Sequence, residues 1–210
     1  MTYVSRETLT PAAFQTLTGL DDTALGRLQA YADLLIKWQA RINLVGPSTL
    51  PDLWRRHLLD AVQLLPLLGQ PGGPVVDLGS GAGIPGLVLA ACGVADVHLI
   101  ESNQKKAAFL REAARVMGIA VTVHAARIEA VRLESPAAVV TARALAPLPA
   151  LLAHAARFAD ARTRCLFLKG QDVDIELTQA GKSWKLDYRL VDSVSDPSGK
   201  IVVVEAFASQ

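Results

Sequence analysis

The chain has 210 residues, of which 21 are basic and 20 acidic, so its formal net charge is +1. This length suits one domain with a small extension, and the balanced charge does not indicate a strongly basic nucleic-acid-binding surface. No apolar stretch approaches the ~20 residues needed to span a bilayer, and the N-terminus lacks the basic start and apolar centre of a signal peptide. We therefore expect a cytoplasmic protein without a membrane anchor, and a monomer by default.

The first third of the chain is predicted to be helical. Apolar residues recur at steps of three and four over 21–42, which predicts an amphipathic helix that starts at a pair of aspartates. A second helix is expected over about 50–65, with Ser48 or Thr49 as its cap.

Glycine and proline interrupt the helical periodicity over 67–74. We take this break as a domain boundary. The sequence thus predicts a helical extension over 1–70, placed against a larger domain over 71–210.

Short apolar runs separated by helical stretches characterise the larger domain. They lie at 75–78, 97–100, 120–123, 138–141 and 165–168. Strands that are apolar on both faces and alternate with helices indicate a parallel sheet covered on both sides. Two further strands, 185–194 and 199–207, are joined too closely for a helix, which predicts a hairpin. The expected fold is α/β and Rossmann-like, with a mostly parallel seven-stranded sheet whose last strand is antiparallel.

The stretch "VVDLGSGAGIPG" (75–86) ends the first strand and opens a helix, as nucleotide-type sites do. Its glycines also satisfy the dinucleotide spacing. However, Asp77 stands two residues before Gly79, where a carboxylate would repel a pyrophosphate. S-adenosylmethionine carries a sulfonium and an ammonium group instead, which a carboxylate attracts. The loop therefore favours S-adenosylmethionine, with NAD as the alternative.

A second carboxylate supports an adenosyl ligand. Glu101 ends the next strand, at the position where this architecture places the ribose hydroxyls of its ligand. Because no phosphate-binding residue accompanies Glu101, this position argues against NADP. It is compatible with both S-adenosylmethionine and NAD and does not distinguish between them.

The methyl acceptor is narrowed by what the sequence lacks. No Asn-Pro-Pro-Tyr or Asp-Pro-Pro-Tyr element follows the fourth strand, which disfavours methylation of an exocyclic amine. Cys92 and Cys165 lie in apolar contexts and are expected in the core, so a cysteine nucleophile is not indicated. Arg143 ends the fourth strand, where a guanidinium can orient a carboxylate, a phosphate or a guanine edge.

The motifs "DLGSGAGIPGL", "LIESNQKKAAFL", "RIE" and "TARALAPL" together resemble those of the RsmG family, also called GidB. The segments "KWQARINLVG" and "RRHLLDA" are similar to that family's helical extension. This resemblance implies a class I methyltransferase fold that moves a methyl group from S-adenosylmethionine to N7 of the guanosine at position 527 of 16S rRNA.

The resemblance also implies site residues. The expected cofactor contacts, with those of the glycine loop, are Asp77, Gly79, Gly81, Gly83, Ile84, Glu101, Ile128, Glu129 and Arg143. Guanine N7 carries a free lone pair and no proton, so we expect no catalytic acid, base or nucleophile, and a positioning role for Arg143.

The expected partner is 16S rRNA or the small ribosomal subunit. Residues 101–132 carry six basic against three acidic side chains, so part of this region is a candidate RNA surface. The candidate RNA contacts are Asn43, Arg56, His57, Lys105, Lys106 and Arg111. The four histidines are scattered, and no metal site is expected.

Three other functions stay open from the sequence. The near-neutral charge is compatible with a methyltransferase of a small molecule, which would show a weaker salt dependence than an RNA enzyme. A non-catalytic sensor of the cofactor or ribosome would bind S-adenosylmethionine without turnover. A dinucleotide oxidoreductase would bind NADH, which Asp77 disfavours.

Overall fold

The computed structural model describes residues 8–210 of the chain. Seven strands form one sheet in the order β3-β2-β1-β4-β5-β7-β6. They are β1 (Val75–Leu78), β2 (Val97–Ile100), β3 (Thr122–His124), β4 (Val139–Arg143), β5 (Arg164–Lys169), β6 (Trp184–Asp192) and β7 (Lys200–Ser209). Strands β1 to β5 pair in parallel, whereas β7 is antiparallel to β5 and β6. The predicted mostly parallel sheet with an antiparallel last strand is confirmed.

Eight α-helices accompany the sheet in the described part of the chain. They are α1 (Pro11–Thr18), α2 (Asp22–Gln39), α3 (Asp60–Val62), α4 (Leu65–Leu68), α5 (Gly86–Ala91), α6 (Gln104–Met117), α7 (Leu148–Ala155) and α8 (Val173–Ala180). The side chain of Asp21 accepts a hydrogen bond from the N–H of Ala24 and so caps α2, as its sequence position predicts.

The predicted regular helix over 50–65 is wrong in its form. The chain instead makes a 3₁₀ helix (Pro47–Asp52), a π-helix (Trp54–Leu59) and then α3. Pro51 has no N–H to donate, and the Thr49 side chain donates to the Gly46 carbonyl rather than capping an α-helix. The wider π turn lies where His57 meets the sheet domain, and such turns are frequent at functional sites.

The helices cover the two faces of the sheet with separate apolar clusters. One cluster unites α1, α2 and the 3₁₀ and π segment with α5 and α6, and the other holds α7 and α8. The side chains of β1 alternate between the two faces of the sheet, as strand geometry requires. Val75 therefore belongs to the first cluster, whereas Val76 and Leu78 belong to the second. The N-terminal helices therefore share a core with the sheet.

The division into an extension over 1–70 and a domain over 71–210 stays a prediction, and residues 1–7 of that extension lie outside the described part. The strand order reverses between β1 and β4, both of which point the same way. Open α/β sheets hold their ligands at the carboxyl ends of strands beside such a reversal.

Candidate active site

The glycine loop between β1 and α5 is packed too closely for side chains at two positions. A Cβ at Gly83, whose φ is +88°, would lie 2.6 Å from the Cβ of Leu87. A Cβ at Gly86 would lie 2.6 Å from both the Cβ of Asp77 and the Cδ2 of Leu99. The loop thus brings α5 directly onto the sheet, and glycine is required for this approach.

Asp77 lies beneath this loop and is fully buried. Its Oδ1 accepts a hydrogen bond of 2.8 Å from the hydroxyl of Thr141, whereas Oδ2 makes no well-formed hydrogen bond with any described residue. Burial raises the pKa of this carboxyl to about 6, opposed by the Thr141 hydrogen bond, by the nearby Ser80 hydroxyl and Gly86 N–H, and by the charge of Arg143. An under-satisfied buried carboxyl of this kind favours a cation nearby.

Glu101 is held at the edge of the loop by two main-chain groups. Its Oε2 accepts from the Gly81 N–H at 2.9 Å and its Oε1 from the Asn103 N–H at 2.7 Å. These bonds fix the orientation of the carboxylate. Because each carboxylate oxygen has two lone pairs, it can still accept hydrogen bonds from a ligand's hydroxyls.

A cavity of about 310 Å³, the glycine-loop cavity, opens beside these residues at the carboxyl ends of β1 to β4. Its lining comprises Gly79, Gly81, Ile100, Glu101, Ser102, Lys106, Ala126, Arg127, Ile128, Glu129, Ala144, Leu145 and His154. Apolar faces beside one fixed carboxylate suit a nucleoside.

A second cavity of about 410 Å³, the arginine cavity, lies on the other side of Ala144. Its lining comprises Thr49, Arg56, His57, Asp60, Arg143, Ala144, Leu168, Lys169, Gly170, Glu176, Ser195, Asp196, Ser198 and Gly199. Ala144 therefore borders both cavities, and its φ of +51° is unusual for a residue other than glycine.

Arg143 joins the sheet to the N-terminal helices inside the arginine cavity. One guanidinium nitrogen donates to Asp60 Oδ2 at 3.0 Å and to the Arg56 carbonyl at 3.1 Å, and the other donates to His57 Nδ1 at 2.6 Å. Three acceptors thus hold the guanidinium in one orientation.

His57 is neutral in this network. Burial, followed by the charges of Arg143 and Arg56, lowers its pKa to about 3. Since Nδ1 accepts from Arg143, the ring proton is on Nε2, which donates to Thr49 Oγ1 at 2.6 Å. The ring is a fixed link between groups rather than a proton carrier at neutral pH.

The loop between β6 and β7 closes the arginine cavity. Ser195 donates to Asp60 Oδ1 at 2.6 Å, and Arg56 pairs with Asp196 at 2.5 Å. Both contacts connect residues more than 130 positions apart.

The structure brings the predicted cofactor residues into two groups. Five of them line the glycine-loop cavity, namely Gly79, Gly81, Glu101, Ile128 and Glu129. Asp77 lies buried beneath the loop, Gly83 and Ile84 are buried within it, and Arg143 lies in the arginine cavity.

The predicted RNA residues also separate. Arg56 and His57 line the arginine cavity, and Lys106 lines the glycine-loop cavity. Asn43, Lys105 and Arg111 are exposed and belong to neither lining.

Sequence reasoning missed Asp60, Lys169 and Glu176, which line the arginine cavity. Lys169 could have been predicted from the sequence, because it stands at the carboxyl end of β5. Glu101 and Arg143, which were predicted, stand in the same way at the ends of β2 and β4. Asp60 and Glu176 are helical positions without such a signal.

A further cavity of about 420 Å³ lies at the opposite edge of the sheet. Its arginines are already paired, Arg162 with Asp160 and Arg164 with Glu205. The convergence of strand ends, loop glycines and buried charge is at the carboxyl edge, so we place the candidate active site there.

The cysteines do not supply a nucleophile. Cys165 is buried and Cys92 half-buried, and burial raises the pKa of both thiols, that of Cys92 to about 12.

Within residues 8–210, no cluster of three or more potential ligands could hold a metal ion, and no helix is long and apolar enough to cross a bilayer.

Comparison with known families accounts for this arrangement. The family model described as "GidB: rRNA small subunit methyltransferase G" matches residues 24–201. The chain belongs to the GidB family. It is 54% identical over 192 residues to the ribosomal RNA small subunit methyltransferase G of Paramagnetospirillum magneticum, covering 91% of this chain and 93% of that protein. It is 50% identical over 194 residues to the protein of the same name from Rhodospirillum rubrum, covering 92% and 96%.

Solved structures agree on the fold of this GidB member. The magnesium protoporphyrin IX methyltransferase of Synechocystis PCC 6803 with bound S-adenosylmethionine matches with a TM-score of 0.57 at 16% identity, covering 89% of this chain and 98% of that one. The glycopeptide N-methyltransferase MtfA matches with a TM-score of 0.57 at 13% identity, covering 70% and 93%. The expected class I methyltransferase fold is confirmed.

Proposed function

We propose that this GidB member transfers the methyl group of S-adenosylmethionine to N7 of a guanosine in the rRNA of the small ribosomal subunit. The observation that carries the proposal is the pair of cavities that meet at Ala144, one lined by the glycine loop and one by Arg143. A transferase needs two such adjacent sites, and the family membership names the reaction.

The residues of the glycine-loop cavity fit S-adenosylmethionine. Glu101 is oriented to accept hydrogen bonds from ribose hydroxyls, and Ile100 and Ile128 offer apolar surface to the adenine. A Cβ at Gly81 would have no atom closer than 3.7 Å, so the main chain there is open to a ligand. When bound, the cofactor supplies a methyl group activated by its sulfonium, and the buried charge of Asp77 favours that cation.

The arginine cavity suits a neutral base as the acceptor. Three cationic side chains, Arg56, Arg143 and Lys169, are balanced there by three carboxylates, and His57 is neutral. Such a balance does not concentrate charge for a phosphate, but it offers donors and acceptors to a purine edge. Because N7 is unprotonated, the chain needs only to orient the base, and Arg143 is held in place to do so.

Contacts with the remainder of the RNA are proposed for the exposed basic residues Lys105 and Arg111, for the half-buried Lys106, and for Asn43 at the extension. A base in folded rRNA must leave its stack to enter the arginine cavity. We further propose that the protein acts in the cytoplasm as a monomer.

The test is transfer of labelled methyl to small-subunit rRNA that lacks its modifications, supplied naked and as whole subunits. Arg143→Ala removes the guanidinium from the acceptor side, and Arg162→Ala, at the opposite edge of the sheet, is the control. We expect label in 7-methylguanosine with wild type and Arg162→Ala, and its loss with Arg143→Ala. Cofactor binding without label in either RNA would contradict the proposal and favour a small-molecule acceptor or a sensor.

A further inference from the structure

The wall between the two cavities is the segment that joins β4 to α7, residues 144–147. Ala144 borders both cavities, and Leu145 lines the glycine-loop cavity. The Leu145 side chain lies against the loop, since a Cβ at Gly79 would meet its Cδ1 at 2.5 Å. With Ala144 in a left-handed conformation, this wall is a strained backbone that its surroundings must hold.

Two charged side chains from outside the wall hold its far end. The Lys169 ammonium donates to the Ala146 carbonyl at 3.0 Å, and Glu176 Oε2 accepts from the Leu148 N–H at 2.6 Å. The same Glu176 oxygen lies 2.6 Å from Lys169 Nζ, so the two residues form an ion pair. We call this pair the wall clamp.

The chemistry of α7 explains why a distant carboxylate is used. Pro147 stands at the N-cap of α7 and has no side-chain oxygen to accept a hydrogen bond from the first turn. Glu176, from α8, supplies that acceptor and places a negative charge at the positive end of the helix. Lys169 compensates the charge, because the Lys169 and Glu176 side chains are only 9% and 20% exposed.

We propose that Lys169 and Glu176 are positioning residues for methyl transfer. By fixing Ala146 and Leu148 from one side, the wall clamp sets where Ala144 and Leu145 stand between the cofactor and the acceptor base. This inference rests on the proposed methyl transfer and extends it to residues that touch the wall rather than the reacting atoms.

The experiment measures turnover, cofactor affinity and amide hydrogen exchange in the full chain. Lys169→Met removes both contacts of the ammonium, and Glu176→Gln keeps an oxygen for the Leu148 N–H but loses the charge. A displacement of the wall by about 1 Å would lower turnover on the order of a hundred-fold for Lys169→Met, and less for Glu176→Gln. Lys169→Arg retains a cationic donor and should recover part of the turnover.

Exchange separates positioning from general stability. We expect faster exchange at the amides of 145, 146 and 148 in both variants, with the amides of β1 unchanged. Lys185→Met is the control, because Lys185 is exposed on β6 and pairs with Ala208, whereas Lys169 lies opposite Lys200 near the other end of β7. It should leave turnover and exchange at the wall as in wild type.

Wild-type turnover in both clamp variants would overturn the inference. So would reduced turnover with unchanged exchange at the wall, which would make Lys169 a residue that touches the acceptor directly. If Lys169→Met does not fold, Glu176→Gln still decides. Absence of methyl transfer by the wild type would defeat the proposed function instead, and the exchange data alone would then show whether the pair holds the wall.

Discussion

The two cavities at the carboxyl edge of the sheet are lined by different kinds of residue. The glycine-loop cavity is lined by two glycines of the loop and by residues at or after the ends of β1, β2, β3 and β4, with Lys106 of α6 and His154 of α7. The arginine cavity is lined by long charged side chains from the N-terminal helices, β4, β5, α8 and the β6–β7 loop. The first depends on close backbone packing, and the second on ion pairs between distant segments.

This difference predicts different sensitivities. The glycine loop should tolerate loss of nearby surface charge but not a methyl group added where its packing is closest. A site made of paired charges should fail when one partner is neutralised, because the remaining charge is left half-buried. Four substitutions test the comparison.

Asp60→Asn should have the largest effect. It removes the carboxylate that orients Arg143, so turnover should fall on the order of a hundred-fold through misplacement of the guanidinium. Cofactor affinity, measured by calorimetry, should stay as in wild type, and Asp192→Asn on the exposed hairpin is the control. A parallel fall in cofactor affinity would assign Arg143 to the cofactor and break the comparison.

Asp77→Asn should change how stability depends on pH. The pKa of Asp77 is about 6 in the folded chain, against an ordinary value of 3.8. Between these values the folded state binds more protons than the unfolded state, so this group's contribution to stability falls as pH rises from about 4 to 6. The stability of wild type relative to Asp77→Asn should therefore fall by roughly 2–3 kcal/mol across that window.

Urea unfolding of both chains at several pH values measures this difference. The thiols and the other carboxyls are common to both chains and cancel in the comparison. A difference that is constant with pH would mean that the pKa of Asp77 is unshifted beneath the loop, and one that grows as pH rises would mean that it is lowered.

Gly86→Ala should destabilise the fold by about 2 kcal/mol, because its methyl group would overlap Asp77 and Leu99. Gly26→Ala is the matched control, since nothing lies within 4 Å of its Cβ and it is inside α2. That control should stabilise by up to about 1 kcal/mol. Equal urea midpoints for Gly86→Ala and wild type would show that the loop can relax.

Tyr31→Phe should have the smallest effect. The buried Tyr31 hydroxyl donates to the Ala82 carbonyl at 2.7 Å, which links α2 to the glycine loop. Its loss should lower the free energy of unfolding by about 1 kcal/mol and weaken cofactor binding slightly. Tyr188→Phe, on the exposed surface of β6, is the control. No change in either quantity would mean that the N-terminal helices do not support the loop.

Local patterns were sufficient for the fold. The alternation of apolar runs and helices predicted the parallel sheet, and the short connection between the last two runs predicted the final hairpin. Both predictions were possible because each strand is visible as an apolar run in its own segment of the sequence. The boundaries were less accurate, as in β3, which lies at Thr122–His124 rather than 120–123. The irregular form of the segment at 47–59 was missed, because it accompanies a hydrogen bond within the segment, between Thr49 and His57, and a tertiary contact of His57 with Arg143 of β4.

What the sequence by itself determined is the glycine-loop side of the site, where Gly79, Gly81 and Glu101 follow strand ends and topology brings strand ends together. Only the tertiary structure decided that Arg143 faces His57 and Asp60, and that Lys169 and Glu176 hold the wall. These contacts join helices and loops far apart in the chain. Local periodicity in the sequence could not predict these contacts. Each of the charged residues is of a type that is common on the surface of helices and at strand ends, so nothing in its own segment indicates its partner.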